Sequence, residues 1–476
     1  MINQQAPNIV FMHTDQHTYD AISAYGNKWL KTPNIDRLHF NGISFMRSYC
    51  TDPVCAASRA SWMTGRYSSE TGVPFNGGSL YEDLPDLGQW LTQHNVESYH
   101  TGKWHVENRD VKQSFQTLYF GKRFIGAGGG EYYDQAISHS VVQFLAERNK
   151  TTPFFLQIGF VNPHDICEYG HNFEEKLIPD GVTQGILNEE DLPPLPDNHD
   201  FDEPETLTHK VIRRDENCMI HWPIMKQTHS WSELQWRYFN WNNYRLIEKV
   251  DAEIGVVLNA LEASGTAENT LILFTADHGE AAGQHKMFQK FSLYEESVRV
   301  PFIAACLGSG VSLPKNQFNS THFISGVDIF PTVCDYVNIP TPEIISGKSI
   351  RQIIEGTAST WRDHAYIESN YWARSIVADT YKYVTEYRPK NTEDYVSPSA
   401  QSATRGLEQL FDLETDPGEK RNLVNDPSHN TVLANLRSVL IEEESKLIRR
   451  PLLPRAQKTV DKWGKRLRDR WANYQT

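Results

Sequence analysis

The sequence predicts an α/β fold: one large, mostly parallel β-sheet sandwiched by helices, followed by a smaller C-terminal α+β subdomain with a short antiparallel sheet. Three observations carry this. Short apolar runs recur along the chain, each ending in a polar residue, as strands buried on both faces do. Between them apolar residues recur at spacings of three or four, the stripe of an amphipathic helix, and strands alternating with helices build a parallel sheet covered on both sides. Near residue 357 the pattern changes to short alternating segments, which read as antiparallel strands. The 476 residues exceed what a single core usually supports, so residues 1–356 read as a large domain and 357–476 as a smaller one.

Taken in order, Asn8 to His13 is the first apolar run and leads to Asp15. A helix is expected from about Ser58 to Met63, then stripes at Leu84, Leu87 and Leu91 and at Ile137, Val141 and Leu145. Phe154 to Val161 is a second strand, delivering Asn162, Pro163 and His164. Residues 170–244 break the alternation with acidic, proline and aromatic residues, among them Trp222, Trp231, Trp236 and Trp241. They read as a long insertion over the active-site face, with aromatics that suit either a flat organic ligand or a satellite core. Ile247, Val250, Ile254, Leu258 and Leu261 form the next helical stripe, and Leu271 to Ala276 is a third strand, ending at Asp277. Ser375 to Ala378 and Tyr381 to Tyr387 read as antiparallel strands. In an open α/β sheet ligands bind beyond the carboxyl ends of the strands, so Asp15, His164 and Asp277 are expected to converge.

The net charge of −14 argues against nucleic acid as a partner. No stretch approaches the ~18 apolar residues of a membrane helix, and no basic segment followed by a long apolar one opens the chain. The protein therefore reads as soluble and, as written, cytoplasmic; a trimmed periplasmic or secreted protein would look the same. Six scattered cysteines (Cys50, Cys55, Cys167, Cys218, Cys306, Cys334) make no disulfide scaffold. A basic cluster from Arg449 to Arg470 reads as a solvated helical face or as a contact for a polyanion or an acidic neighbouring subunit, which leaves a homo-oligomer open.

The run Cys55-Ala56-Ala57-Ser58-Arg59-Ala60-Ser61-Trp62-Met63-Thr64-Gly65-Arg66 resembles the maturation motif of type I sulfatases, members of the alkaline phosphatase-like superfamily. An isolated cysteine is ordinarily a small buried hydrophobe. Here the resemblance, to the Cys-x-Ala-x-Arg form of the motif, implies that Cys55 is oxidised to formylglycine by a formylglycine-generating or anaerobic maturation enzyme. Its hydrated aldehyde would then be the nucleophile. A helix start near Cys55 favours anions, and Arg59, one turn along, would hold the diol.

Other motifs follow in the family's order. Asp15 and Gln16, with Asp277 and His278, resemble its divalent-metal ligands, which suit Ca²⁺ first and Mg²⁺ second, while a histidine donor also admits Mn²⁺ or Zn²⁺. Gln16, a neutral amide, fits a ligand or a group behind the ligands equally well. Gly102-Lys103-Trp104-His105 resembles the family's Gly-Lys-Trp-His element, implying that Lys103 clamps a sulfate oxygen and His105 is the base that releases sulfate. His164 and Lys290 resemble the groups that bind sulfate oxygens and protonate the leaving oxygen. Leu410 to Leu423 resembles a late family element that carries no chemistry. The expected activity is hydrolysis of a sulfate monoester, with a sulfated carbohydrate as the favoured substrate. Rival readings are a phosphonate monoester or phosphodiester hydrolase, a choline-sulfatase-like enzyme, and a non-catalytic binder of sulfated ligands with unmodified Cys55.

Overall fold

The computed structural model describes residues 6–119, 129–148, 152–167, 187–200, 231–358, 360–369, 373–388, 404–458 and 461. The larger sheet has eight strands: β1 (Asn8–Asp15), β2 (Gly42–Tyr49), β3 (Glu97–Gly102), β4 (Gln116–Thr117), β5 (Phe154–Pro163), β6 (Thr270–Ala276), β7 (Phe302–Ala305) and β8 (Gln317–Ser325). Their order across the sheet is β4-β3-β5-β1-β6-β7-β2-β8. Only β7 runs against its neighbours, pairing antiparallel with both β6 and β2; the remaining pairs are parallel.

Both faces are buried, and the pleat shows how. Ile9 and Phe11 of β1 join Phe155, Leu271 and Leu273 in one core, while Val10 and Met12 join Leu156, Ile158, Ile272 and Phe274 in the other. Alternate residues point to opposite faces, so a run apolar at every position requires cover on both. The second face is covered by α1 (Pro33–Phe40), with the first under α2 (Cys55–Thr64) and α3 (Leu87–Gln93). The long helices α4 (Gly130–Glu147) and α5 (Glu233–Ala263) pack on the second face through Ile137, Val141, Leu145, Val250, Ile254 and Leu258, and α6 (Ile329–Tyr336) on the first. Each of these fully buried aliphatic side chains contributes about 1.5–3 kcal/mol.

A second, four-stranded antiparallel sheet is formed by β9 (His364–Ser369), β10 (Ala373–Ala378), β11 (Tyr381–Arg388) and β12 (Thr404–Asp412), in the order β12-β11-β10-β9. One face packs Ile376, Tyr383 and Leu410 under α7 (Asn430–Lys446) through Leu433, Leu436 and Leu440. The other buries Ile367, Val377 and Val384 against Tyr49, Val298 and Phe323 of the larger unit.

Three expectations need correction. Helix α2 begins at Cys55, three residues earlier than its apolar pattern suggests, since Val54 supplies the N-cap and offers no side-chain bond. Leu84 lies outside α3: Asp86 caps that helix and accepts a bond from the Gln89 N–H, so the apolar spacing runs past the true start. The aromatic residues 233–244 are the first turns of α5 rather than part of a loop. Trp231 and Trp236 pack with Phe239 and Phe288, the satellite-core reading of those rings. Residues 168–186 and 201–230, including Trp222 and Cys218, lie outside the described residues. So do Lys462, Lys465, Arg466, Arg468 and Arg470 of the basic cluster. Its described members pair internally: Arg449 with Glu444, Arg450 with Asp83 and Arg455 with Glu107. No described helix is long and apolar enough to cross a membrane.

Candidate active site

The register of four adjacent strands explains why distant residues meet. Thr14 of β1 pairs with Ala276 of β6, so Asp15 and Asp277 leave neighbouring strands side by side. On the other flank Asp15 pairs with Pro163, and His164 follows. One strand further out, Gly102 pairs with Gly159, and the Lys103 N–H donates to the Gly159 carbonyl at 2.7 Å. Gly102 has φ +93°, and a Cβ there would lie 2.1 Å from the Gly159 oxygen, so only glycine permits this approach.

Cys55 is the first residue of α2, whose ten residues are all buried. Its Sγ lies 3.1 Å from His278 Nε2, 3.0 Å from Lys290 Nζ and 3.9 Å from Asp15 Oδ1. Arg59, one turn along, joins both carboxylates: Nη2 donates to Asp15 Oδ2 at 2.7 Å and Nε to Asp277 Oδ2 at 2.8 Å. Lys103 Nζ lies 2.7 Å from Asp15 Oδ2, and His164 Nε2 3.8 Å from Asp15 Oδ1. His105 (φ +52°) places Nε2 3.6 Å from Glu107 Oε1. Lys290 Nζ also donates to Gln16 Oε1 at 2.9 Å. All ten residues expected from the sequence thus meet in one buried cluster.

The charges are matched. Among the described side chains of this cluster, Asp15, Asp277 and Glu280 oppose Arg59, Lys103 and Lys290, with the histidines adjusting the balance. Burial pushes the Asp15 carboxyl up, but Lys103, His164, Arg59 and Lys290 outweigh it and hold the group well below the ordinary range. For Asp277 burial and the Asp15 charge win, and its carboxyl is raised. Burial and Asp15 oppose ionisation of Cys55, yet Lys290, His278 and Lys103 hold the thiol well below its usual value. Burial followed by Lys103 and Lys290 brings His164 down to about 4. His105 is raised because its contacts with Cys55 and Glu107 overcome its burial.

Asp15, Cys55, Asp277 and His278 each bring one ligand atom to a set whose members all lie within 4.8 Å of one another. His278 Nδ1 sits 2.9 Å from the Gly279 carbonyl, which fixes the proton there and leaves Nε2 with its lone pair toward the cluster in the neutral ring. Two carboxylates and such an imidazole are a fitting donor set for a divalent cation. Gln16, φ +66°, donates its backbone N–H to Asp277 Oδ1 at 3.1 Å.

Sequence reasoning missed three participants. Glu280 is buried behind Gln16 and bonded to its Nε2; its position in the run Asp277-His278-Gly279-Glu280 was the available signal. Glu107, two residues from His105 on the same segment, could have been read from that spacing. Cys167, 3.3 Å from Gln16 Nε2, carries no sequence signal; burial pushes its thiol up to about 12.

The chain is 27% identical over 457 residues to a Delta 4,5-hexuronate-2-O-sulfatase of Bacteroides thetaiotaomicron, covering 92% of this chain and 88% of that one. It is 28% identical over 497 residues to an arylsulfatase of Clostridium perfringens, covering 92% and 94%. In fold it resembles a 2-O GAG sulfatase (TM-score 0.74, 24% identity, 95% and 96% covered). It also resembles the phosphonate monoester hydrolase of Agrobacterium radiobacter (TM-score 0.71, 20% identity, 94% and 97% covered). An N-sulphoglucosamine sulphohydrolase C-terminal profile matches residues 283–446. Because the sulfatase profile matches residues 7–339, from the strand bearing Asp15 past the loop bearing Lys290, the chain belongs to the sulfatase family and is an enzyme that hydrolyses sulfate esters.

Proposed function

We propose that this sulfatase removes sulfate from a sulfated carbohydrate, using formylglycine at position 55 and a divalent cation, Ca²⁺ before Mg²⁺ or Mn²⁺. The observation that carries the reading is the gathering of Asp15, Lys103, His164, Asp277 and Lys290 around the first residue of α2. The carbohydrate preference is supported by the hexuronate sulfatase among the relatives.

The cation would be held by Asp15, Asp277 and His278, with Gln16 Oε1 beside them, and would polarise a sulfate oxygen. The aldehyde hydrate at position 55 would supply the attacking hydroxyl. Asp277 would take the proton of that hydroxyl as the new O–S bond forms and the S–O bond to the sugar breaks. Arg59, Lys103 and Lys290 hold the sulfate oxygens; such prearranged charge in a dry site is usually the largest catalytic contribution. Lys290 or His164 passes a proton to the departing alcohol oxygen. His105 then takes the proton of the second hydroxyl, its charged form steadied by Glu107, as the carbon–oxygen bond to sulfate breaks and the aldehyde is restored.

Two measurements test the reading. Intact mass of the native protein should fall about 18 Da below the sequence mass, the change from thiol to aldehyde. Sulfated mono- and disaccharides, with choline sulfate, an aryl sulfate and an aryl phosphonate monoester beside them, should show sulfated sugars turned over fastest. Dominance of the phosphonate would place the chain with the hydrolase it resembles in fold; an unmodified Cys55 in active protein would remove the proposed nucleophile.

A further inference from the structure

We infer that Glu280 is a positioning residue for this reaction, setting which way the Gln16 carboxamide faces and where Lys290 stands. This rests on the sulfatase mechanism proposed above. Glu280 is fully buried and touches none of the groups expected to meet sulfate. Its Oε1 accepts the N–H of Gln289 at 2.7 Å and of Ala282 at 3.1 Å, so it closes the loop that presents Lys290 from its inner side. That loop is held in a costly shape, with φ +68° at Gln289 and +82° at Phe291 flanking the lysine. Its Oε2 accepts from Gln16 Nε2. The Glu280 N–H donates to Thr18 Oγ1 at 3.2 Å, and Thr18 Oγ1 lies 3.1 Å from the Glu280 carbonyl, fixing its backbone to the turn after β1.

The two ends of the Gln16 amide are chemically distinct, and each has one charged partner, of opposite kind, while the neutral Cys167 thiol lies 3.3 Å from Nε2 and 3.5 Å from Oε1. An ionised carboxylate can only accept and an ammonium can only donate. Glu280 on one side and Lys290 on the other therefore force Nε2 outward and Oε1 inward, toward Lys290. Replacing Glu280 by glutamine keeps the shape and the acceptor for the two loop N–H groups. It turns the atom facing Gln16 into a donor, so the Gln16 amide must reverse and present its NH₂ to the Lys290 ammonium. An inward acceptor becomes an inward donor, and Lys290 loses its Gln16 acceptor, keeping only its contact with residue 55.

This reversal gives a swap test. Glu280→Gln should lower kcat by a hundredfold or more. Gln16→Glu should do the same by setting two carboxylates face to face. The double variant restores one donor facing one acceptor, with an oxygen inward, and should return to within about tenfold of wild type, a coupling expected only of groups in direct contact. Melting temperature against inorganic sulfate concentration provides an arm independent of turnover. Each single variant should need at least tenfold more sulfate for the same rise, and the double variant should need no more than wild type. If Glu280→Gln does not fold, comparison of Gln16→Glu with the double variant carries the test. Multiplicative losses in the double variant, or a Glu280→Gln enzyme within threefold of wild type, overturn the inference. A wild type inactive on every sulfate ester, with the swap pattern intact in the sulfate arm, would sink the mechanism and leave Glu280's role standing.

Discussion

Lys382→Met tests the join between the two sheets. Lys382 stands on β11 with no exposed surface, its Nζ 2.9 Å from Glu419 Oε1 and 3.1 Å from Glu295 Oε1. Removing one partner of a buried ion pair typically costs 3–5 kcal/mol, because the charge left behind is uncompensated. The lower end applies. Glu295 keeps Tyr49 Oη at 3.2 Å and Arg299 at 3.6 Å, and Glu419 still accepts the Glu295 N–H. The cost must also depend on pH. Burial raises the Glu419 carboxyl to about 7 despite Lys382, with Glu295 and Glu296 adding to the rise. A raised acid contributes stability that is intact below the unfolded value near 4.5 and is lost as pH climbs through the folded value. Without Lys382 the folded value climbs further, so the two proteins diverge only above about pH 7, by about 1 kcal/mol at pH 8: a penalty of about 3 kcal/mol there against about 2 kcal/mol at pH 5. At about 2.1 cal/mol/K per residue, 476 residues unfold with about 1 kcal/mol/K, so the melting temperature should drop about 3 °C at pH 8 and about 2 °C at pH 5. Calorimetry of both proteins at the two pH values decides, and adding Glu419→Gln should recover part of the loss at pH 8. A penalty equal at both values would show that Glu419 does not respond to Lys382.

Three further outcomes follow from the geometry. Lys290→Met should lower kcat on an aryl sulfate by about 10²–10³, the usual cost of one buried donor to developing negative charge, with a melting temperature near that of wild type; a change confined to KM would contradict it. Exhaustive chelation should abolish turnover and lower the melting temperature, both returning with added Ca²⁺, because a cation bound by the folded site alone stabilises it; activity that survives chelation would rule out the proposed cation. Burial raises Asp134, which accepts the Val161 and Asn162 N–H groups, to about 7. Wild-type stability should therefore fall by on the order of 4 kcal/mol between about pH 4 and pH 7, and Asp134→Asn should flatten that part of a denaturation series.

Much of the site was legible because strands buried on both faces leave an unmistakable trace. Asn8 to His13, Phe154 to Val161 and Leu271 to Ala276 are apolar at nearly every position, and the polar residues that end them are those the sheet register brings together. The first half of α5 was not legible. Its Asn- and aromatic-rich turns show no apolar stripe, although Ser232 and Gln235 form a capping box that marks its start. Glu280 and Glu107 escaped for another reason: each acts through a neighbour, and their value appears only when Gln16 and His105 stand beside them. Nothing local in the sequence encodes that three arginines of the basic cluster pair with Glu444, Asp83 and Glu107, Arg449 in the interior and the other two at the surface.

The helix that opens with Cys55 is walled in along its whole length, and Cys55 itself is 1% exposed. A catalyst of the proposed conversion would meet this side chain most readily before α2 docks on the sheet. On the proposed conversion to formylglycine, the folded chain would thus leave the modifying catalyst a limited interval after synthesis; slowing its collapse should raise the converted fraction, and hastening it should leave more thiol behind.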